Sequence, residues 1–283
     1  MVPTSDRSTI CAVIPTFNRS SALRRALESV GAQSRPPDEI VVVDDGSTDD
    51  TAEWVRRDFP AVTLVRTEHA GVSAARNRGV AETRCEWVAF LDSDDEWLPE
   101  KLERQLRALE ADPDYQICHT NEIWIRNGRR VNEAKRHAKS GGWIFRHCLP
   151  LCVISPSSVV VRRSLLERLG GFDETLPVCE DYDLWLRICA RHPVLFLEEA
   201  LTVKYGGHKD QLSRRHPGMD RFRVRALDKI LRDGVLSPED REAAVRTLLE
   251  KLDVYVAGAQ KRGRVEEVAK FREIRGKYAR GDQ

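Results

Sequence analysis

Short apolar runs recur along the first hundred residues at intervals of roughly 20 to 30, and this spacing constrains the fold more than any other feature. Ile40-Val41-Val42-Val43 is β-branched throughout and bounded by polar residues, as suits a strand buried on both faces of a parallel sheet. Residues 11–14, 62–65 and 87–91 have the same character. Between these runs the apolar positions fall three and four apart: Leu23, Ala26, Leu27 and Val30, then Ala52 and Val55, then Ala74, Ala75 and Val80. Strand and helix therefore alternate. Right-handed βαβ units of this length predict a doubly wound α/β sheet over residues 1–110, with ligands at the carboxyl ends of its strands.

Beyond a helix expected over 99–111 the rhythm loosens. Strands are expected at 117–125, 158–161 and 194–197, with a Gly-, His- and basic-rich flap around Lys135 to His147. Helices are expected at 163–169 and 181–191. From Pro217 the pattern is helical to the end, with Ser237-Pro238-Glu239-Asp240 as an N-terminal cap and a break near Gly263.

Composition narrows the class. Of the 283 residues, 46 are Lys or Arg and 45 are Asp or Glu, a net charge of +1. The balance is uneven, because residues 207–283 carry 19 basic against 13 acidic side chains. The tail has few aromatics and the whole chain is not basic, which argues against nucleic acid as a partner. No stretch approaches the roughly 18 consecutive apolar residues of a membrane span. Seven Cys without a CxxC pair suit scattered thiols in a reducing compartment, so a cytoplasmic protein is expected.

Acidic side chains stand where two of the strands end. Asp44-Asp45-Gly46-Ser47 closes the second and Asp92-Ser93-Asp94-Asp95 the fourth, and the two ends are expected to be adjacent. In an extended segment Asp92 and Asp94 share a face, and two hard oxygen ligands suit Mg²⁺ or Mn²⁺ holding phosphate oxygens. The alternative is that Asp, Gly and Ser start turns and cap helices. Residues 71–79, Gly-Val-Ser-Ala-Ala-Arg-Asn-Arg-Gly, open a helix with small residues, where an anion approaches closely and Arg reaches a diphosphate.

Taken together, these blocks resemble the nucleotide-sugar-dependent glycosyltransferases of family 2, which have the GT-A fold. The resemblance rests on Val13-Ile14-Pro15-Thr16-Phe17-Asn18-Arg19, the VVVDDGSTDDT run at 41–51, GVSAARNRG at 71–79 and FLDSDDEWLP at 90–99. Gly170-Gly171-Phe172-Asp173-Glu174 and CEDYDLWLR at 179–187 extend it, so that it covers roughly residues 10–213. It implies a GT-A domain over 1–216, with a nucleotide-binding half at 1–112 and an acceptor-binding half with a lid at 113–216, followed by a helical extension at 217–283.

The same resemblance implies roles residue by residue. Pro15, Thr16 and Phe17 with Asp44 or Asp45 receive the base and ribose, Asp45 being favoured for the base. Arg76 lies near base and diphosphate. Asp92-Ser93-Asp94 matches the DxD motif, with Asp94 the direct metal ligand and Asp92 nearer the ribose or a metal-bound water. Asp181 matches the catalytic base, although acids in any first helical turn also serve the helix dipole. His208, in Tyr205-Gly206-Gly207-His208, is a candidate third metal ligand on a lid. The family commonly has Arg where Gly206 stands, and Arg214 or Arg215 could substitute.

The chemistry that follows is transfer of a sugar, most often from a UDP-linked donor, to a glycan or lipid-linked acceptor, in bacterial-type cell-surface polysaccharide or glycan synthesis. One carboxylate opposite the leaving group suffices for a single in-line displacement, which inverts the anomeric carbon. Trp97, Trp124 and Trp143 are either core residues or platforms for acceptor sugars, and Ser155-Pro156-Ser157-Ser158 is a candidate cleft lining. Arg221, Arg223, Arg225 and Lys229 form either a solvated helix face or a peripheral contact with an anionic membrane. A homo-oligomer stays open. Two rival readings are a sugar nucleotidyltransferase, which would need a Gly-rich loop where Pro15-Thr16-Phe17-Asn18-Arg19 stands, and a non-catalytic nucleotide-binding scaffold. A phosphorelay receiver would explain Asp44-Asp45 but would leave Asp92 to Asp95 and Asp181 without roles.

Overall fold

A computed structural model describes residues 7–132, 137–207, 216 and 218–279. The first strands form as the apolar runs require: β1 (Ile10–Thr16), β2 (Glu39–Asp44), β3 (Thr63–Arg66) and β4 (Trp87–Phe90). All seven residues of β1 are buried, as befits a strand inside a parallel sheet. Val13 pairs with Val41 on one side and Phe90 on the other.

The nine-stranded sheet runs β3-β2-β1-β4-β8-β6-β9-β5, with β7 beside β6. Its second half consists of β5 (Glu96–Trp97), β6 (Ile117–Arg126), β7 (Arg129–Val131), β8 (Val160–Arg162) and β9 (Leu195–Gly206). β1 to β4, β6 and β9 run one way, and β5, β7 and β8 run against them. The sheet is thus α/β and mostly parallel, with its mixed edge on the later half. β2 and β4 are not neighbours as expected: β1 lies between them.

Alternation along the strands divides the core. Cys11, Val13, Val41, Val43, Val88 and Phe90 point to one side of the sheet, and Ile10, Ala12, Ile14, Val42, Ala89 and Leu91 to the other. The second side is covered by α1 (Ser20–Gly31), whose Leu23, Ala26, Leu27 and Val30 are buried, by α2 (Thr51–Asp58) and by α4 (Lys101–Ala111). The first side holds α3 (Val72–Glu82), α5 (Phe145–Cys148), α6 (Arg163–Arg168) and α7 (Glu180–Cys189). A Cβ on Gly79 would stand 2.3 Å from Val13 Cγ1, so only a glycine lets α3 press this closely onto β1.

Three C-terminal helices complete the first layer: α8 (Asp220–Arg232), α9 (Pro238–Lys261) and α10 (Val265–Ala279). Phe222, Leu227, Leu248 and Leu252 join the same apolar cluster as Trp185 and Phe90. The Ser237 side chain accepts from the Asp240 amide as the cap requires, and Gly263 turns the chain at φ +67°. Three basic residues of α8 are taken up by acidic partners, while Arg225 and Arg232 are exposed. Lys229 Nζ bonds Asp173 (2.7 Å) and Asp183 (3.1 Å), Arg223 pairs with Asp220, and Arg221 with Glu267. No helix among the described residues is long and apolar enough to cross a membrane.

One buried group sits outside the usual rules. Lys101 is fully buried at the start of α4, with Nζ 4.4 Å from the Trp97 ring centre and without a hydrogen-bond partner among the described residues. Burial pulls its pKa down to about 7. A lysine whose folded pKa lies below its unfolded value near 10.4 binds fewer protons when folded, so stability rises with pH between about 7 and 10. Lys101→Met is expected to raise stability at pH 7 by roughly 1–3 kcal/mol and to abolish that rise. Urea unfolding of both proteins at pH 7 and pH 9.5 checks this; a wild-type midpoint that does not move with pH contradicts a buried, unpaired ammonium.

Candidate active site

The loops that follow β1, β2 and β4 are tied to one another at the carboxyl ends of the strands. Asn18 donates its amide to Ser47 Oγ (2.8 Å) and accepts from the Thr48 amide (2.8 Å), and Arg19 pairs with Asp94. Arg25 Nη2 donates to the Asp94 carbonyl at 2.7 Å. Chain segments remote in sequence thus share one crevice.

At one end of it Phe17 stacks on His69, with ring centres 4.0 Å apart and planes 17° from parallel. His69 Nδ1 lies 2.9 Å from Asp45 Oδ2. Asp45 also takes the Ala70 amide (2.8 Å) and the Gly71 amide (2.9 Å), so it fixes the entry to α3. Gly46, at φ +80°, makes room for this turn: a Cβ there would meet the His69 amide nitrogen at 2.9 Å. Asp44 is fully buried, accepts from the Ser47 amide (2.8 Å) and faces Arg66 at 3.5 Å. Thr16 is buried beside them, its Oγ1 without a hydrogen-bond partner among the described residues. His69 escaped the sequence reading, because a lone histidine before a helix carries no pattern.

The acidic turn after β4 does not have the expected geometry. The Asp95 amide donates to the Asp92 carbonyl at 2.9 Å, closing a turn in which residue alternation no longer applies. Asp92 faces Arg76 and Asp94 faces Arg19. Ser93 is buried between them. Asp95 is a brace: Oδ2 accepts from Ser157 Oγ (2.6 Å) and Oδ1 from the Tyr205 amide (3.1 Å). Burial pushes its carboxyl well up from the ordinary range.

Arg76 is the hub. From α3 it sends Nη2 to Asp92 Oδ1 (2.6 Å) and Nη1 to Glu180 Oε1 (2.7 Å), with its guanidinium 5.1 Å from the Phe172 ring centre. Burial opposes its charge, but the two acids hold it firmly protonated. Glu180, buried beside Asp181, is pushed up to about 7 by desolvation and by that neighbour, against the pull of Arg76. Glu180 was visible in the sequence only as the first acid of a helix.

Asp181 follows it. Its Oδ1 accepts the Tyr182 amide at 2.7 Å and its Oδ2 the Cys152 thiol at 3.4 Å. Cys179, in the left-handed region at φ +62°, turns the chain sharply into α7 and so sets the direction of both acids. Asp183, by contrast, is structural, paired with Arg187 at 2.8 Å and with Lys229. From β9, Lys204 reaches Ser155 Oγ at 2.9 Å, and its charge is held by Glu122, Asp95, Asp92 and Asp181 around it.

These contacts join Phe17, His69 and Asp45 to the start of α3, and Arg76 on α3 to Asp92 and to Glu180, the neighbour of Asp181. His208, Arg214 and Arg215 lie outside the described residues. Among the described residues no three His, Cys, Asp or Glu side chains stand close enough to hold a metal ion by themselves. Asp92 and Asp94, paired with Arg76 and Arg19, carry hard oxygen atoms of the kind that Mg²⁺ and Mn²⁺ take one or two at a time, completing their shells with phosphate and water.

A nucleotide-type half sheet with acids at its strand ends, continued by a mixed half sheet, is the GT-A arrangement. The family model described as glycosyl transferase family 2 matches residues 11–170, and the chain belongs to that family. An uncharacterized glycosyltransferase of Rickettsia felis is 29% identical over 213 residues, 73% of this chain and 35% of its own length. One of Rickettsia typhi is 27% identical over 68% of this chain and 62% of its own. The chain thus spans between about a third and three fifths of these relatives. Among solved structures, Staphylococcus aureus TarS 1–349 in complex with UDP-GlcNAc superposes with a TM-score of 0.66 at 18% identity, over 96% of this chain and 92% of that one. The mannosyltransferase PcManGT of Pyrobaculum calidifontis, in complex with GDP-Man and Mn²⁺, gives 0.62 at 20% identity, over 97% and 85%.

Proposed function

We propose that the chain transfers a sugar from a nucleoside diphosphate to an acceptor hydroxyl, with inversion at the anomeric carbon. The observation that carries this reading is the Arg76 bridge from Asp92 to Glu180, which joins the strand-end acids to the Glu180-Asp181 pair. UDP-linked and GDP-linked sugars are the donors to try first, since structures of similar fold carry each of them.

In this reading the base packs against the stacked Phe17–His69 pair, and the amino end of α3 with Arg76 and Arg19 receives the diphosphate. A Mg²⁺ or Mn²⁺ ion held by Asp92 and Asp94 would neutralise charge on the departing diphosphate. Asp181 takes the proton of the acceptor hydroxyl as its oxygen attacks the anomeric carbon. The bond to the phosphate oxygen breaks in the same step and its electron pair leaves with the diphosphate. A single carboxylate on the attacking side gives one displacement and one inversion. Glu180 stays beside it as the counter-charge of Arg76.

Release of UDP or GDP from a panel of nucleotide sugars, measured with Mn²⁺, with Mg²⁺ and with chelator, tests the proposal. Metal-stimulated release is expected for at least one donor, and Asp94→Ala is expected to lower it at least a hundredfold. Undiminished release by that variant overturns the role of Asp94, and nucleotide binding without release from any donor favours the scaffold reading.

A further inference from the structure

The hairpin that joins β6 to β7 carries charge that the chain itself leaves unmatched. Arg126, Asn127, Gly128, Arg129 and Arg130 are all exposed. Asn127 and Gly128 make the turn at φ +50° and +73°, the backbone twist that a two-residue hairpin needs. The turn is seated against the end of β9, where the Asn127 amide donates to the Gly206 carbonyl at 3.4 Å and a Cβ on Gly207 would stand 2.7 Å from Asn127 Oδ1. The arginines are therefore displayed from a fixed backbone.

Register sets like charges against each other. Arg126 pairs with Arg129 across the ladder, and direct neighbours of this kind, with Cα atoms about 4.5–5.5 Å apart, repel. The Arg126 guanidinium lies 5.5 Å from the Trp124 ring centre, and no acid pairs with Arg126, Arg129 or Arg130 among the described residues. Other exposed arginines are matched: Arg57 with Asp58, Arg78 with Glu82 and Arg246 with Glu242. On α8, too, Arg221, Arg223 and Lys229 are already taken up by acids. Three cations held together without a counter-charge are relieved by an anionic surface outside the chain. β6 runs with β1, β2 and β4, so its carboxyl end puts the hairpin at the same edge of the sheet as the strand-end acids.

Shape selects the partner. Five consecutive exposed residues make a projecting tip rather than a cleft, with no walls to enclose a small anion. Lipids diffuse in the plane of a bilayer and gather their headgroups around three fixed guanidiniums, whereas the acids of a folded protein must already stand at the matching spacing. We infer that the hairpin of Arg126, Arg129 and Arg130 docks the protein onto an anionic lipid bilayer. Docking here is independent of which donor the crevice takes.

Flotation of the full chain with vesicles of neutral phosphatidylcholine, alone or with about 30% phosphatidylglycerol, tests this. The wild type is expected to float with the anionic vesicles at about 0.05 M salt, to ignore the neutral ones and to be released at about 0.5 M. Each arginine is worth about fivefold in partitioning, so replacing all three with glutamine is expected to weaken it roughly a hundredfold. Arg129→Glu separates docking from folding: it sets an acid opposite Arg126, so the melting midpoint holds or rises while vesicle binding falls roughly tenfold or more. Arg225→Gln combined with Arg232→Gln removes two exposed charges of α8 and is expected to leave flotation unchanged. No flotation by the wild type, equal flotation with neutral vesicles, flotation that survives the triple substitution, or an equal loss in the α8 variant overturns the docking surface. Retention of the wild type on immobilised polyglutamate without flotation overturns the bilayer as its partner.

Discussion

Asp181→Asn is expected to lower sugar transfer by roughly 10² to 10⁴, the range that a positioned general base contributes. Asparagine has nearly the same shape, and its carbonyl oxygen still accepts the Tyr182 amide, which Asp181 takes at 2.7 Å. What it loses is the ability to take a proton from the acceptor. Donor affinity is expected to stay within a few fold, because the contacts assigned to base and diphosphate come from Phe17, His69 and Arg76. Product formation and nucleotide binding measured on the same preparation separate the two effects. Near-wild-type transfer by the variant removes Asp181 from the mechanism.

The second large effect is expected at Arg76. Methionine there keeps much of the side-chain length and removes the charge between Asp92 and Glu180. Leaving buried acids without their counter-charge is expected to destabilise the protein by about 3–5 kcal/mol. The loss should depend on pH, and the direction can be worked out. Glu180 already titrates at about 7, above its ordinary value of 4.5, so the folded state holds an extra proton between those limits and stability falls as pH rises through them. Without the guanidinium its pKa rises further and the fall extends to higher pH. Denaturant midpoints at pH 5.5 and pH 8 should therefore differ more for Arg76→Met than for the wild type, with the variant weaker at pH 8. An equal shift at both pH values would mean that the acids are solvated and that the bridge is incidental.

The fold was more legible than the site for physical reasons. β1, β2, β3 and β4 are short apolar runs between amphipathic helices, and local pattern suffices to find them. Their order is another matter: β1 lies between β2 and β4 because crossovers double back, and no residue in either strand records this. β5 spans only Glu96–Trp97, too short to show a period. β7 carries a signal in Asn127-Gly128, both at positive φ as a tight hairpin turn requires. In the site, the acids at 44–45, 92–94 and 181 could be read as an ordered set of motifs. The partnerships could not, because each joins distant segments: Arg76 with Glu180, His69 with Phe17, Lys204 with Ser155 and with the acids around it. The acidic turn departs from strand alternation because the hydrogen bond from the Asp95 amide to the Asp92 carbonyl curls it.

The Arg76 bridge also bears on the order in which the polypeptide is made. Asp92 emerges from the ribosome 16 residues after Arg76, but Glu180 only 104 residues after it. The nascent chain therefore carries this guanidinium with one acid of its pair while the 88 residues from Asp92 to Glu180 are added. Its seat becomes electrically complete only when α7 emerges, past the end of the segment that the family model matches. Ribosome-bound fragments ending near residue 170 would hold most of the sheet and an Arg76 still lacking Glu180.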